Sequence, residues 1–227
     1  MTKELRLQMI DICRKMNAAG INQGTSGNLS FRTGDSFLVT PTSLSYDRME
    51  PEDIVEMDFD GGYCGRRLPS SEWRFHRDIL QARPDRDTVL HCHSSFATSF
   101  SCHRREMPPF HYMIGLAGGT TIRCAEYAAY GTQELSENAV KALEGRDACF
   151  LANHGQIAIG RDLDRAFRLA VEVETLARQY IQALIIGEPT LLTEAEMAQV
   201  LEQMKQMSYG DAPDLKGVSG RAFKKVR

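Results

Sequence analysis

The chain has 227 residues, 42% hydrophobic and 25% charged, with a formal net charge of −3. That length suits one medium domain with a full core, and so even a charge balance gives no global field to hold nucleic acid or a membrane surface. No run reaches the roughly 20 apolar residues of a membrane span, and the opening MTKELRLQMIDICRKM alternates charged and apolar residues, unlike a signal peptide.

Residues 3–19 place Leu5, Met9, Ile12, Cys13 and Met16 at three- and four-residue spacings, which predicts an amphipathic helix ended by Gly20. INQGTSGNLS is turn-rich and leads into SFR. A TGD turn and SFLVTPT follow, and together they read as a β-hairpin. DIVEMDF is a further strand, closed by Asp60-Gly61-Gly62. Residues 70–82 (SSEWRFHRDILQA) read as a helix with a serine start and Pro84 beyond its end. TVLHCHS is a strand and FATSFS a short helix.

The stretch 108–130 is rich in Gly, Pro and aromatics and is expected to mix loops with short strands. ELSENAVKALEG is a helix ending at Gly145, and ACFLANHGQIAIG two strands around a His-Gly turn. A long helix follows over 162–186. Thr193 and Glu196 form a capping box at the head of the last one. No internal repeat is present. The order predicts an α/β fold, with a central, mainly antiparallel sheet flanked by helices. One domain is expected over 1–210, with a solvated basic tail over 211–227 (Lys216, Arg221, Lys224, Lys225 and Arg227, with Lys205 upstream).

The six cysteines (Cys13, Cys64, Cys92, Cys102, Cys124, Cys149) include no CxxC pair and no dense framework. Cys13 and Cys149 sit in apolar surroundings as small hydrophobes. A reducing, cytoplasmic setting is expected.

His91 and His93 stand two apart in TVLHCHS. On a strand, i and i+2 share a face, so two imidazoles converge on one point while Cys92 turns away. Such a pair suits an ion with nitrogen ligands, given a third neutral donor and an open position. His154 has the best context for that donor: it ends the apolar run CFLANH and precedes Gly155, which allows a sharp turn and leaves room beside an ion. His76, four residues after Glu72 on one helix face, fits a structural or supporting role. His103 and His111 stay open. An HxH pair also occurs without metal.

These segments belong to a larger pattern. NQGTSGNLSFR, LVTPTSLSYDRMEPEDIVEMD, LPSSEWRFHRDI, TVLHCHSSFATSFS, PFHYMIGLAGG, YAAYGTQELSENAVKAL and LANHGQIAIG span positions 22 to 160, and AVEVETLARQY continues beyond. With them the chain resembles the class II aldolase and adducin-like family. The resemblance implies a homotetramer with sites between subunits, acting on a small sugar phosphate and not on nucleic acid or membrane. It implies metal ligands at His91, His93 and His154. It implies a catalytic acid/base at Glu72 and a proton donor or acceptor at Tyr112, reaching in from a neighbouring subunit. Phosphate would lie against Gly27, Asn28, Thr42, Ser43, Ser70 and Ser71. Zn²⁺ suits three imidazoles best, with Mn²⁺, Fe²⁺ and Co²⁺ open.

The chemistry is coherent with those residues. Gly-containing turns and helix starts offer N–H groups to anions, although turn chemistry and capping use the same residues. Carbon–carbon cleavage needs an electron sink. A lysine imine is one solution, yet no lysine stands between Lys15 and Lys141. A metal Lewis acid is the other.

The implied reaction is reversible cleavage of a deoxy-ketose 1-phosphate to dihydroxyacetone phosphate and an aldehyde. Tyr112 would take the C4 hydroxyl proton and Glu72 would protonate the carbon left behind. Ser43 and Tyr130 replace the Gly and Phe of the L-fuculose-1-phosphate branch, and Met204, Met207 and Tyr209 fall where that branch encloses the aldehyde. The substrate reading therefore extends to 5-deoxyribulose and 5-methylthioribulose 1-phosphates. Other branches are a 4-epimerase of L-ribulose 5-phosphate, which has Asp where this chain has Glu72, a methylthioribulose-1-phosphate dehydratase, and non-enzymatic adducin-like modules lacking the metal site.

Overall fold

The computed structural model describes residues 2–206; Met207, Tyr209 and the basic tail from 211 to Arg227 lie outside the described residues. Helix α1 (Thr2–Ala18) forms where the apolar spacing predicts it and buries Met9, Ile12, Cys13 and Met16. Gly20 follows it at φ +71°, the left-handed conformation that ends helices. Strands β1 (Asn28–Arg32) and β2 (Ser36–Val39) make the expected hairpin around Gly34, with Ser30 opposite Val39. β3 (Val55–Asp58) pairs with β2, and a two-residue β4 (Tyr63–Cys64), not expected from the sequence, extends that edge.

Next come α2 (Trp73–Ala82), β5 (Thr88–Cys92), α3 (Ser95–Ser101), a 3-10 segment Tyr112–Ala117 and β6 (Arg123–Ala125). The described residues end with α4 (Gln133–Ala142), β7 (Ala148–Leu151), β8 (Gly155–Gly160), α5 (Leu163–Ile186) and α6 (Glu194–Gln206). The capping box is present: Glu196 N–H donates to Thr193 Oγ1 at 3.2 Å, and Thr193 N–H to Glu196 Oε2 at 2.7 Å.

The eight strands among the described residues form one sheet, ordered β4-β3-β2-β1-β5-β8-β7-β6. Every pair is antiparallel except β6 with β7. Helix α4 joins that parallel pair, as a crossover must.

Helices cover both faces, and the two-residue period of each strand sorts its side chains between them. Phe37, Val39, Val89, Cys149, Leu151, Ile157 and Ile159 pack against α2 and α4. Leu38, Leu90, Cys92 and Ala158 pack against α1 and the start of α5. Each large apolar side chain so buried contributes about 1.5–3 kcal/mol. This sorting fixes the register of β5 and therefore the direction of His91. A slip of one residue would send Leu90 to the α2 face and His91 to the other.

Candidate active site and metal centre

His91 shares the α2 face with Val89 and is fully buried, whereas Cys92 points to the opposite core, as the strand period predicts. His93 lies one residue beyond the strand end. β8 lies against β5 with Gln156 opposite Cys92, which brings the β7–β8 turn, and His154 on it, alongside. The three rings form a nearly equilateral triangle, with centroids 4.8–4.9 Å apart and planes at 70–76°. Their ligand nitrogens all lie within 4.8 Å of one another, and Nε2 of His91 and His93 are 3.0 Å apart. Two nitrogens on one tetrahedral Zn²⁺ would be about 3.3 Å apart.

Protonation favours metal binding too. His91 Nδ1 lies 2.9 Å from the Gln156 carbonyl. A carbonyl only accepts, so Nδ1 carries the hydrogen and Nε2 turns a lone pair to the cluster. Burial, reinforced by the neighbouring His93, pushes His91 down to about 3. Burial and His91 push His154 down to about 3 as well, against the opposing pull of Glu72. His93 is lowered by burial. All three are neutral near pH 7, the state a metal requires.

Asn153 makes the turn before His154, with φ +53°; its Oδ1 accepts from Arg104 Nε at 2.6 Å. Gly155 keeps negative φ. Its lack of a side chain provides space between β8 and the ligand rings, and the sharp turn expected of it falls to Asn153.

Glu72 reaches the same point from α2. The helix begins at Trp73, with Glu72 as its N-cap. Residues 70–72 form a turn tied to the sheet: Ser70 N–H donates to the Thr40 carbonyl at 3.0 Å, and Glu72 N–H to Ser70 Oγ at 3.2 Å. This docking explains why the helix starts later than the serines suggest. The Glu72 carboxylate is buried, with Oε1 3.3 Å from His154 Nε2 and Oε2 3.4 Å from His91 Nε2. With neutral histidines these contacts are not ion pairs. Oε1 is buried without a hydrogen-bond partner, which is costly unless another partner reaches it. Three neutral imidazoles and an orphaned carboxylate oxygen converging on one point fit a divalent cation.

A cavity of about 350 Å³ opens from this cluster. Gly27, Asn28, Thr42, Ser43, Ser70 and Ser71 all line it, with Glu72, His93 and His154. Among the described residues no lysine or arginine lines it. Gly27 lies so close to β5 that a Cβ there would stand 2.7 Å from the His91 carbonyl, and the buried Tyr46 hydroxyl donates to the Gly27 carbonyl. Ser43 has φ +56°, a strained setting for a side chain.

Tyr127 and Tyr130 stand at the rim, 54% and 73% exposed. The 130–131 loop is drawn down by Arg74 Nη1, which donates to the Gly131 carbonyl at 2.9 Å. Tyr112 does not line this cavity; it opens the 3-10 segment and is 45% exposed. Met204 packs over Gly115 of that segment, where a Cβ would meet its Sδ at 2.9 Å, and it does not line the cavity either. His76 is buried beneath Glu72, His103 is exposed, and His111 accepts from Met113 N–H through Nδ1 at 3.3 Å.

Sequence reading missed Gln156 and Asn153. Gln156 also donates through Nε2 to Ser94 Oγ at 2.7 Å and to the Ala170 carbonyl at 3.0 Å, linking β8, the segment after His93 and α5. A polar residue inside the apolar run GQIAIG was the available signal.

Known proteins resemble this chain over most of its length. Residues 7–181 match the family described as class II aldolase and adducin N-terminal domain. A 5-methylthioribulose-1-phosphate/5-deoxyribulose-1-phosphate aldolase of Rhodospirillum rubrum is 51% identical, over 93% of this chain and 95% of that protein. An L-fuculose phosphate aldolase of Escherichia coli is 45% identical, over 91% and 96%. A solved L-fuculose 1-phosphate aldolase superposes with a TM-score of 0.87 at 40% identity, covering 90% of this chain and 98% of its own. The match spans the sheet, the histidine triangle and Glu72 together, and the chain belongs to the class II aldolase and adducin family.

Proposed function

We propose that this chain is a metal-dependent aldolase that reversibly cleaves a deoxy-ketose 1-phosphate into dihydroxyacetone phosphate and an aldehyde. The carrying observation is the meeting of His91, His93, His154 and Glu72 at the floor of a cavity walled by neutral anion donors. An adducin-like module has no use for this convergence. Lys141 is exposed on α4 and does not line the cavity, which leaves no lysine there for an imine among the described residues.

His91, His93 and His154 would hold the ion, with Zn²⁺ the best match to three nitrogens and Mn²⁺, Fe²⁺ or Co²⁺ as alternatives. The bound ion would supply Lewis-acid stabilisation of the negative charge that develops as the carbon–carbon bond breaks. Gly27, Thr42, Ser43, Ser70 and Ser71 bind the phosphate through neutral donors, together with the turn that carries Asn28. Glu72 moves the proton: its free Oε1 delivers one to the electron-rich carbon in cleavage and removes it in synthesis. Tyr112 exchanges the proton of the C4 hydroxyl. Its exposure and its absence from its own chain's cavity support a role at a second copy's site, in the homotetramer with sites between subunits that the family likeness implies. The enzyme would be cytoplasmic, with one domain over 1–210, of which 207–210 lie outside the described residues. No described helix is long and apolar enough to cross a membrane.

The aldehyde end lies toward Tyr127 and Tyr130, whose apolar faces suit a methyl or methylthio group. L-Fuculose 1-phosphate, 5-deoxyribulose 1-phosphate and 5-methylthioribulose 1-phosphate share the same head. The test is a cleavage assay over these three, coupled to detection of dihydroxyacetone phosphate. At least one should be cleaved, and removing metal should abolish the reaction. Silence on all three with turnover of L-ribulose 5-phosphate would transfer the chain to the epimerase branch.

A further inference from the structure

The carboxylate of Glu72 sits at the end of a buried chain of side chains. Asn28 Nδ2 donates to Glu72 Oε2 at 3.0 Å. Asn28 Oδ1 lies 2.6 Å from His76 Nε2, and His76 Nδ1 lies 2.7 Å from Ser30 Oγ. Asn28 and Glu72 are 5% exposed, and Ser30 and His76 are fully buried, so water does not compete. Two short-range spacings build the chain. Asn28 and Ser30 are i and i+2 on β1, and Glu72 and His76 are i and i+4 at the head of α2. The two pairs interdigitate.

The chain has a direction, and each link forces the next. A carboxylate accepts, so Asn28 must present its NH₂ group to Glu72. Its oxygen then faces His76, so His76 Nε2 must carry the ring hydrogen. Nδ1 is left as an acceptor and takes the Ser30 hydroxyl hydrogen. Burial, with His91 nearby, holds His76 well below the usual histidine range, which agrees with a ring carrying a single hydrogen. One carboxylate oxygen is thereby fixed by Asn28, while Oε1 is left without a partner, facing His154.

We propose that His76 is a positioning residue for Glu72: as the Nε2–H tautomer, set by Ser30, it orients the Asn28 amide, which holds one oxygen of the carboxylate and leaves the other for proton transfer. The inference rests on the reading of Glu72 as the proton-transferring group. It also gives Asn28 a role beyond the phosphate: both ends of its amide are engaged with Glu72 and His76. A carboxylate displaced by even an ångström loses rate far more than substrate binding.

The experiment uses the metal-loaded full chain and two measurements. Exchange of the carbon-bound hydrogen of dihydroxyacetone phosphate with deuterated solvent, followed by proton NMR without aldehyde, reports the Glu72 step alone. Steady-state cleavage gives kcat and KM. His76→Met should slow both exchange and kcat by about 10- to 100-fold, with KM within about 3-fold and metal content unchanged. His76→Gln can return an N–H to Asn28 and should recover most of the rate. Equal impairment of the Met and Gln variants would mean a merely structural histidine and would overturn the proposal. Normal exchange in His76→Met beside abolished exchange in Glu72→Gln would overturn it while sparing the Glu72 reading. Normal exchange in Glu72→Gln would remove that reading itself. If His76→Met does not fold, ¹⁵N NMR of the unmutated protein decides. An Nε2–H tautomer at His76 is expected between pH 5 and 9, and an Nδ1–H tautomer refutes the chain.

Discussion

At Gly155 an added Cβ would stand 2.5 Å from the Cys92 carbonyl, 3.0 Å from His93 Cδ2 and 3.3 Å from His91 Cε1. Two of these neighbours belong to proposed metal ligands and the third is backbone, so none can yield without cost to the site. Overpacking of this kind destabilises by about 1–3 kcal/mol. Gly155→Ala should lower the melting temperature and weaken metal retention at least about tenfold in a chelator competition. Unchanged metal retention would show that the rings tolerate displacement.

The histidines also set a pH dependence. In the metal-free protein His91 and His154 are held down to about 3, against an unfolded value of about 6.5. The unfolded chain therefore binds more protons below pH 6.5, and stability falls as pH falls through that window. Asp53 and Asp85, held at about 2 by their arginines, act in the same direction but only below about pH 4. The urea midpoint of chelator-stripped protein should thus drop between pH 7 and pH 5, and by less in His154→Asn. At this scale the pairing of His91 with His93 was legible because HxH carries local spacing, whereas the arrival of His154 beside them was expected from its strand-end context and the family pattern. The pairings of Gln156 and of the Asn28 amide were not legible: their partners lie 65 and 44 residues away, so the polar residue in GQIAIG signals that a partner is needed but not which one.

Between residues and the whole stands the cap that α5 supplies to α3. Glu174 Oε1 and Oε2 accept from Phe96 N–H at 2.9 Å and Ala97 N–H at 2.8 Å. Ser94, the N-cap residue itself, makes no side-chain cap and instead accepts from Gln156. The first turn of α3, directly after His93, is thus held by a carboxylate from another helix, where the dipole favours it. Glu174→Ala should destabilise by about 1–3 kcal/mol, the worth of hydrogen bonds to a charged group, measured by urea unfolding at pH 7. It should also loosen His93 enough to lower metal affinity. A variant with unchanged stability would place the holding force in the apolar contacts of α3.

The same scale shows what element patterns disclose. The first hairpin, α1 and the capped start of α6 were legible because alternation, helical spacing and capping are local. The late start of α2 was not, since Ser70 bonds to Thr40 of another segment. Nor was β4, or the parallel seating of the three-residue β6, which depends on α4 as its crossover.

For the whole molecule, the decisive residue is Tyr112. The cavity of one chain is lined by Glu72, His93 and His154 but not by this tyrosine, which lies 45% exposed on the 3-10 segment. Family likeness supplied the expectation that it crosses between subunits; no spacing in a single sequence encodes a contact between two copies. Complementation tests the arrangement. Glu72→Gln and Tyr112→Phe each remove one proposed proton-transfer group and should each lower kcat by about 10²–10⁴-fold. Assembled separately, both should be impaired. In mixed assemblies a site built on a Tyr112→Phe chain retains Glu72 and can receive an intact tyrosine from a Glu72→Gln neighbour. Random mixing completes roughly a quarter of the sites in a closed symmetric assembly. Co-expressed chains should therefore recover activity near that fraction of the unmutated enzyme. If Tyr112 served its own chain, every site would lack one group whatever its neighbours, and mixing would restore nothing.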